Sequence, residues 1–217
     1  MLTSMLRKLS LVFAVLLFAV GILFTSVLRT AAVKYDFAES PQTVNVSAAS
    51  VLGEEEVNID YFLAYPGKVL PDSPFWPLKA LRDRIWLWIT TNSSRKAELK
   101  LLFADKRISM SKILFERGKP EIGFSTLTKA EKYLEEAGSS EKENRGKGID
   151  TSEFLERLAA ASLKHAEVID EILEIAPEDA RPNIITTKQY PKKVFEESRN
   201  ALLEKGMEPP ENPFDWN

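Results

Sequence analysis

Apolar residues recur at alternating intervals of three and four residues along most of the chain from Leu78 to Ala176. This spacing predicts α-helices with one apolar face each, because residues three and four apart share a side of a helix. We expect these faces to contact neighbouring helices. The four stripes are Leu78, Leu81, Ile85 and Trp88; Ala97, Leu101, Ala104, Ile108, Ser111 and Phe115; Gly123, Leu127, Ala130, Leu134 and Ala137; and Leu155, Leu158, Ser162, His165, Ile169, Ile172 and Ala176.

Capping residues and helix breakers divide the stripes into separate helices. Asp72 or Ser73 is placed to cap the first helix, since either side chain accepts a hydrogen bond from a free backbone N–H. Gly118 ends the second helix and Pro120 begins the third. The segment 139–147 contains no apolar residue, which predicts a flexible, solvated loop.

The fold class follows from these helices and their connections. Short connections between amphipathic helices favour antiparallel neighbours, so residues 65–205 are predicted to form an all-α, antiparallel bundle of four or five helices. Its last helical piece begins near Pro182 or Pro191. Residues 206–217 follow as a flexible, proline-rich tail. Its aromatic residues either dock on the bundle or stay disordered, or they form a short exposed peptide for another partner.

An uncharged run of 20 residues, 9–28, lies near the N-terminus. At about 1.5 Å per residue a helix of this length spans roughly 30 Å, the thickness of the hydrocarbon core of a bilayer. Arg7 and Lys8 precede the run, so we expect residues 1–8 to be cytoplasmic and the remainder to lie outside the plasma membrane. The length of the run favours an uncleaved single-pass anchor, and a cleaved signal peptide with a secreted product is the alternative.

The charge of the exported part narrows the choice of partners. Residues 29–64 lack a sustained apolar stripe and are predicted to be a linker. Residues 1–34 carry four basic residues and no acidic one, so residues 35–217 hold 25 basic and 32 acidic residues, a net charge of −7. This sign argues against binding to nucleic acid or to an anionic lipid surface. The membrane contact is therefore assigned to residues 9–28.

The composition excludes most kinds of metal site and thiol-based nucleophilic catalysis. The chain has no cysteine and one histidine, so it has no disulfide, no thiolate and no pair of histidines for a metal ion. No carboxylate lies three or four residues from His165, which removes the Glu-x-x-His ligand pattern of bundle metalloproteins. We therefore expect no metal and no cofactor, and we expect His165 to be partly buried and bonded to a neighbouring helix.

Catalytic motifs are missing from the sequence, which has no G-x-S-x-G, H-E-x-x-H, P-loop or Rossmann fingerprint. Acidic residues occur on every predicted helix, so a carboxylate pair for glycoside hydrolysis stays an alternative, although no pair stands out. We therefore expect a protein that is not an enzyme.

The segment before and within the first helix is the most distinctive part of the chain. Residues 65–79 contain four prolines and one glycine, which predicts a rigid, extended path into the helix. The neighbouring aromatic residues, Phe75, Trp76, Trp86 and Trp88, are expected to be core, and a groove for a peptide or a glycan is the alternative. The candidate binding residues are Tyr65, Pro66, Gly67, Leu70, Pro71, Asp72, Ser73, Pro74, Trp76, Leu78, Lys79 and Trp86.

Some of these residues belong to a recognisable pattern. It comprises Tyr65-Pro66-Gly67, Leu70-Pro71-Asp72-Ser73-Pro74, Leu78-Lys79, Arg95-Lys96-Ala97-Glu98-Leu99 and Ala104-Asp105-Lys106-Arg107. Over about Tyr65 to Ala137 the chain resembles an uncharacterised prokaryotic family, domain of unknown function 5667. The resemblance implies a helical module outside the membrane, behind a signal or an anchor, and it implies no particular activity.

These observations predict a membrane-anchored, extracytoplasmic interaction or scaffold module that binds a protein, a peptide or another envelope component. Two alternatives remain, a cell-envelope hydrolase that uses carboxylates and a transmembrane regulator of the sensor or anti-sigma type. The regulator would have only residues 1–8 inside the cell, too few for an effector domain, although its spanning helix is able to pair with a partner in the bilayer.

Overall fold

The computed structural model describes Val15, residues 59–214 and Trp216. The predicted cytoplasmic segment 1–8, the predicted anchor 9–28 apart from Val15, and most of the predicted linker therefore lie outside the described residues. Within the described part of the chain, no helix combines the length and the apolar character needed to cross a bilayer.

The regular secondary structure of the described residues is entirely helical and includes no strand, which confirms the predicted all-α class. Apart from Val15 they belong to Tyr35–Asn217, the second of the two units into which the chain divides. The helices of this unit are α1 Trp76–Ile89, α2 Ser93–Glu116, α3 Pro120–Gly146, α4 Ser152–Ile175, α5 Arg181–Thr187 and α6 Gln189–Glu204. The most extensive packing is that of α2 against α3 and of α4 against α6, whereas α1 makes only a small contact with α2.

The core lies between α2, α3, α4 and α6. Every residue of the three stripes predicted for α2, α3 and α4 is buried, as the spacing of three and four requires. The largest fully buried side chains include Phe103, Ile108, Leu158 and Phe195. Burying a side chain of this size contributes roughly 1.5–3 kcal/mol, so these positions dominate the stability of the bundle.

α2 and α3 come close together at Gly123, near the start of α3. A Cβ atom at this position would lie 2.8 Å from the ring of Phe115, so glycine is the residue that fits. The Ser111 hydroxyl donates to the carbonyl oxygen of Gly123 at 2.8 Å across the same contact. The turn agrees with the prediction, because α2 ends just before Gly118 and α3 begins at Pro120.

The predicted solvated loop 139–147 is wrong, because α3 continues as one helix to residue 146. Glu141 and Asn144 extend the buried stripe of α3, and both are almost fully buried. The Glu141 carboxylate accepts hydrogen bonds from the Thr151 hydroxyl at 2.7 Å and from Arg145 at 3.1 Å. Buried polar side chains are tolerated when they are paired in this way, and hydrophobicity alone does not reveal them.

The last residues of the predicted linker pack on the bundle. Ile59, Tyr61 and Leu63, at every second position, contact the three hydrophobic clusters of the core. The backbone N–H of Ile59 donates to Glu167 at 2.9 Å, and the Tyr61 hydroxyl donates to Asp105 at 2.9 Å. We call the segment from Ile59 to Leu63 the strap. Residues 59–63, which the sequence assigns to the linker, therefore pack on the bundle.

The chain after α4 forms two helices that meet at Lys188. Pro182 lies in the first turn of α5, where its missing N–H would have had no helical partner. The tail returns to the bundle, because Phe214 stacks on Trp216 and the Trp216 ring meets Phe195 edge-on with centroids 5.4 Å apart. Docking, one of the alternatives left open for the aromatic residues of the tail, is therefore observed for Phe214 and Trp216.

Candidate functional site

α1 presents its apolar stripe to solvent. Its large apolar side chains, with the one just before the helix, form an exposed row that we call the α1 face, and each is between 46% and 81% exposed. The α1 face consists of Phe75, Leu78, Leu81, Ile85, Trp88 and Ile89. Isolated exposed hydrophobic residues are ordinary in soluble proteins, whereas a contiguous row on one helix is typical of an interaction site.

The inward side of α1 carries a charged residue. Asp83 is the buried residue of this helix, and its carboxylate accepts two hydrogen bonds from Arg82. Burial lowers the pKa of Arg107 on α2, while the charges of Tyr133 and Asp83 oppose that shift and so favour the Arg107 cation. α1 is therefore oriented with a carboxylate towards the bundle and its apolar stripe towards solvent.

This orientation overturns two expectations. The stripe predicted to contact neighbouring helices faces solvent instead, because the contact with α2 is made by the opposite side of α1. The aromatic residues predicted to be core are also corrected, since Phe75 and Trp88 are largely exposed. Trp86 is about half exposed and meets Phe103 edge-on, with centroids 6.2 Å apart. Trp76 is partly buried and lies 5.5 Å from the Lys79 ammonium group.

The segment 65–72, which we call the platform, is attached to α1 by one lysine. The ammonium group of Lys79 donates to the carbonyl oxygens of Pro66 at 2.8 Å and of Val69 at 2.9 Å. Burial lowers the pKa of Lys79. Gly67 has a φ of 83°, in the left-handed region that favours glycine, and this conformation turns the platform back towards the helix.

Two further contacts join the platform to the bundle. Leu70 is buried, with 3% of its surface exposed, and the Asp72 carboxylate accepts a hydrogen bond from Lys119 at 2.6 Å and lies 3.8 Å from Arg117. The hydrogen bond from Lys119 holds the pKa of Asp72 below its ordinary value. The predicted cap by Asp72 or Ser73 is wrong, because α1 begins without a side-chain cap and Asp72 is engaged with the α2–α3 turn.

An open groove of about 760 Å³ lies between the platform and α1. Apolar side chains of both segments form much of its wall. Its charged lining is entirely cationic and consists of Lys68, Lys79, Arg82 and Lys106. Apolar walls with a few convergent polar groups are typical of a ligand site, and cations favour a ligand that carries negative charge.

The predicted binding residues divide into those that line the groove and those that do not. Gly67 and Lys79 both line the groove and hold the platform in place, whereas Leu70 and Asp72 hold the platform from outside the groove. The predicted residues that line it are Tyr65, Pro66, Gly67, Leu78 and Lys79. Those outside its lining are Leu70, Pro71, Asp72, Ser73, Pro74, Trp76 and Trp86.

Sequence reasoning missed several residues of this site. Leu81 and Ile85 of the α1 face were assigned to contacts with neighbouring helices, and Lys68, Arg82 and Lys106 were not singled out. The stripe itself is plain in the sequence, but its direction depends on α2, a different helix. The cationic lining has no local signal, because its members come from the platform, α1 and α2.

A second cluster of polar side chains lies in the core between α2, α3 and α4. The His165 ring is 2.8 Å from Glu131 through Nδ1 and 3.3 Å from Asp105 through Nε2, and the Tyr61 hydroxyl donates to the other oxygen of Asp105. Burial disfavours the imidazolium, but Glu131 and Asp105 outweigh it and raise the pKa of His165 to about 9. The predicted bonding to neighbouring helices is confirmed, although His165 is fully rather than partly buried.

The burial of this cluster limits its chemistry. Glu131 and His165 have no exposed surface, and Asp105 is almost fully buried. A carboxylate that hydrolyses a glycoside must contact its substrate, so in this conformation the cluster holds three helices together instead. Within the described residues, no group of three or more potential ligands is arranged to hold a metal ion.

A known protein family matches the part of the chain that contains α1 to α4. The family described as a domain of unknown function (DUF5667) matches residues 68–179, which is just over half of the chain. The chain belongs to this family. The resemblance read from the sequence is therefore confirmed, and the match extends past Ala137 to the residues that follow α4. No curated protein and no solved structure matches the chain.

The DUF5667 region contains the α1 face, most of the groove lining and the buried cluster around His165. It spans α1 to α4 and most of the platform, and it includes His165, Glu131 and Asp105. The strap, α5, α6 and the tail lie outside the matched residues. Tyr61 therefore reaches the buried cluster of the DUF5667 region from outside the region.

Proposed function

We propose that the protein is a membrane-anchored, extracytoplasmic interaction module that binds another component of the cell envelope through the α1 face and the adjoining groove. The observation that carries the proposal is the direction of α1, whose large apolar residues are exposed while Asp83 is buried. An apolar row of this kind gains free energy when a partner removes it from water.

The gain from covering the α1 face is sufficient to support binding. Fully burying a side chain such as Leu or Ile contributes roughly 1.5–3 kcal/mol. Trp88 is 81% exposed, so covering it contributes most of the burial free energy of its side chain. Leu81 and Ile85 are about half exposed, so covering them contributes only a part of theirs. Association costs on the order of 4–15 kcal/mol in lost freedom, so a partner must cover several residues of the face together.

The platform supports the proposal because it holds the groove in one shape before a partner arrives. Lys79 ties the platform to α1 through two carbonyl oxygens, and Asp72 ties it to Lys119 at the α2–α3 turn. A surface that is already ordered loses less conformational entropy on binding than a mobile one. The proline-rich pattern thus has a structural role in a binding site.

The location in the proposal rests on residues 9–28 and on Arg7 and Lys8 before them. A run of this length suits a transmembrane helix, and basic residues before it favour a cytoplasmic N-terminus. An anchor of this kind raises the local concentration of envelope components around the α1 face, so modest affinities suffice.

In-cell photo-crosslinking of the full chain tests the proposal. A photoreactive amino acid replaces Trp88 or Ile85 on the α1 face, and Leu203 on α6 is the matched control, because it is also a large apolar residue and is 56% exposed. We expect a discrete adduct from the two α1 positions and none from the control. Thermal unfolding of each variant verifies that the bundle is intact.

Three results contradict the proposal. Identical adducts from Leu203 and from the α1 positions mean that capture is not specific to the α1 face. An adduct between two copies of this chain from the α1 positions alone means that the face mediates self-association. The absence of any adduct, to protein or to lipid, from an intact, correctly located protein means that the face is not covered in the cell.

A further inference from the structure

We propose that the partner of the α1 face is the surface of the lipid bilayer itself, with the apolar side chains of α1 among the lipid headgroups and its basic side chains on anionic lipids. This inference rests on the proposed function, because it names the chemistry of the component that the same face binds. It also assigns α1 an orientation, parallel to the surface of the bilayer.

The centre of the α1 face has the composition of an interfacial helix. Such helices bury an apolar face about 5–10 Å into the boundary between headgroups and acyl chains, and Trp, Phe and Leu are typical of that face. Trp88 and Phe75 are among the most exposed large side chains of the bundle, and Leu78 lies between them on the stripe. The amphipathic ring of tryptophan prefers the depth of the headgroups.

Basic side chains flank this apolar stripe on both sides. With about 100° between successive residues, Arg82 falls on one edge of the stripe through Leu81 and Ile85, and Arg84 falls on the other. Both arginines are exposed, and Arg82 also donates to Asp83 at 2.6 Å. An arginine at the edge of an interfacial helix lays its stem along the apolar surface and extends its guanidinium group to the headgroups.

The local charge around α1 is opposite to that of the exported part as a whole. Residues 65–89 hold four basic and two acidic residues, whereas residues 35–217 carry a net charge of −7. Both acidic residues are occupied, because Asp72 pairs with Lys119 and Asp83 pairs with Arg82. Lys68, Lys79 and Arg84 therefore leave positive charge around the α1 face, and repulsion of the acidic remainder by anionic lipid turns this face towards the membrane.

The net charge of residues 35–217 by itself predicts that this part of the chain avoids anionic lipid. Net charge averages over the whole surface, whereas a Debye length of about 8 Å makes a surface respond to the charges nearest to it. The groove shows the same local sign, because Lys68, Lys79, Arg82 and Lys106 are its charged lining. Cations beside an exposed apolar face are typical of helices that bind anionic bilayers, since such a surface attracts both the apolar and the basic side chains.

The length of chain before the strap keeps the α1 face within reach of the membrane. Residues 29–58 separate the predicted anchor from Ile59, and these 30 residues extend over at most roughly 100 Å. A tether of this reach gives a high effective concentration of lipid, so a single interfacial helix with modest affinity is enough for the second contact.

Lipid-mediated quenching in the full chain tests the inference. The chain has no cysteine, so Trp88→Cys provides a unique site for an environment-sensitive fluorophore, and Leu203→Cys on α6 provides the matched control. The labelled protein is placed in nanodiscs of pure phosphatidylcholine or of an equal mixture with phosphatidylglycerol, each with brominated acyl chains that quench on contact. We expect at least about fivefold more quenching at position 88 than at 203 in the anionic nanodiscs.

A charge variant separates lipid binding from a general exposure of α1. Lys68→Gln with Arg84→Gln removes two exposed cations near the α1 face, and Lys142→Gln with Arg199→Gln removes two exposed cations elsewhere on the bundle. We expect the first pair to lower quenching at position 88 by at least about threefold in anionic nanodiscs, and the second pair to leave it unchanged. If the fluorophore at position 88 disturbs the α1 face, a fluorophore attached to Ile89→Cys reports on the same face.

The outcomes distinguish this inference from the proposed function. Equal, low quenching at positions 88 and 203 in both kinds of nanodisc overturns the lipid assignment. If a protein adduct still forms at position 88 in cells, the proposed function stands with a protein partner. If neither quenching nor an adduct is found, both fail. Quenching that ignores lipid charge overturns the role of the flanking arginines and with it the assignment to anionic lipid.

Discussion

α1 and α4 have the same spacing of apolar residues and opposite relations to water. Leu155, Leu158 and Ile169 on α4 are fully buried, whereas Leu78 and Ile85 on α1 are about half exposed or more. The difference lies in their neighbours, because α4 packs on several long helices while α1 has a small contact with α2. An amphipathic pattern therefore shows that a face needs to be covered, and the rest of the molecule decides whether the chain itself covers it.

The contrast between α1 and α4 predicts its largest effect on the free energy of unfolding for a matched pair of leucines, one on each helix. Leu158→Ala leaves a cavity between packed helices and should lower the free energy of unfolding by about 2–5 kcal/mol. Leu78→Ala removes an exposed side chain and should change it by less than about 0.5 kcal/mol. Urea unfolding followed by circular dichroism measures both. Similar losses for the two variants would mean that α1 is packed as tightly as α4.

His165, on the buried side of α4, predicts that the free energy of unfolding depends on pH. The pKa of His165 is raised from 6.5 to about 9 by Glu131 and Asp105, against the effect of burial. The stabilisation from the charged ring is complete below about pH 6.5 and is lost as the pH rises through about 9. A shift of this size corresponds to roughly 3 kcal/mol between those limits. Urea unfolding at a series of pH values measures the slope.

His165→Gln is the control for that slope, because glutamine keeps a hydrogen-bonding side chain and does not titrate. We expect the variant to be less stable at neutral pH and to lose most of the decline between pH 6.5 and 9. An unchanged decline would assign the pH dependence to other groups and would show that the ring is neutral in the folded protein.

A matched pair of glycines on α3 tests how closely the core helices pack. Gly123→Ala places a methyl group 2.8 Å from the Phe115 ring, and the required shift should destabilise the protein by about 1–3 kcal/mol. A Cβ atom at Gly146 meets nothing within 4 Å, so Gly146→Ala should be neutral or stabilise the helix by up to about 1 kcal/mol. Thermal unfolding ranks the two, and a neutral Gly123→Ala would contradict the close contact of α2 with α3.

The smallest global effect is expected at Lys79, which holds the platform rather than the core. Lys79→Met keeps an apolar stem and removes the bonds to Pro66 and Val69, so global stability should fall by less than about 1 kcal/mol. Amide hydrogen exchange in the platform should become at least about tenfold faster. Lys142→Met, at an exposed position of α3, is the control and should change neither quantity.

The helices of the core could be predicted from sequence because their signal is local. Spacing of three and four residues assigned the buried face of α2, α3 and α4 at every position, including polar residues such as Ser162 and His165. The turn between α2 and α3 followed from Gly118 and Pro120. The partners of His165 could not be predicted, since Glu131 and Asp105 lie on other helices.

The features that sequence reasoning missed depend on residues distant along the chain. α1 turns its stripe outwards and buries Asp83, and its contact partners, such as Phe103, lie on α2. The helix through residues 139–147 is stabilised by a bond from Thr151 to Glu141. The strap docks through Glu167 and Asp105, which lie about a hundred and about forty residues further on. The sequence therefore located the segment that forms the candidate site, but it did not reveal that the apolar side of α1 is the exposed one.

The most direct test of the contrast between α1 and α4 is the rate at which single cysteines react with a water-soluble maleimide. Ile85→Cys, Ile169→Cys and Leu203→Cys are compared in the full chain in phosphatidylcholine nanodiscs. We expect Ile85→Cys to react within about threefold of the exposed control Leu203→Cys, and Ile169→Cys at least about a hundredfold more slowly. A reaction at position 85 as slow as that at position 169 would show that the α1 stripe is buried within the protein and would contradict its role as a docking face.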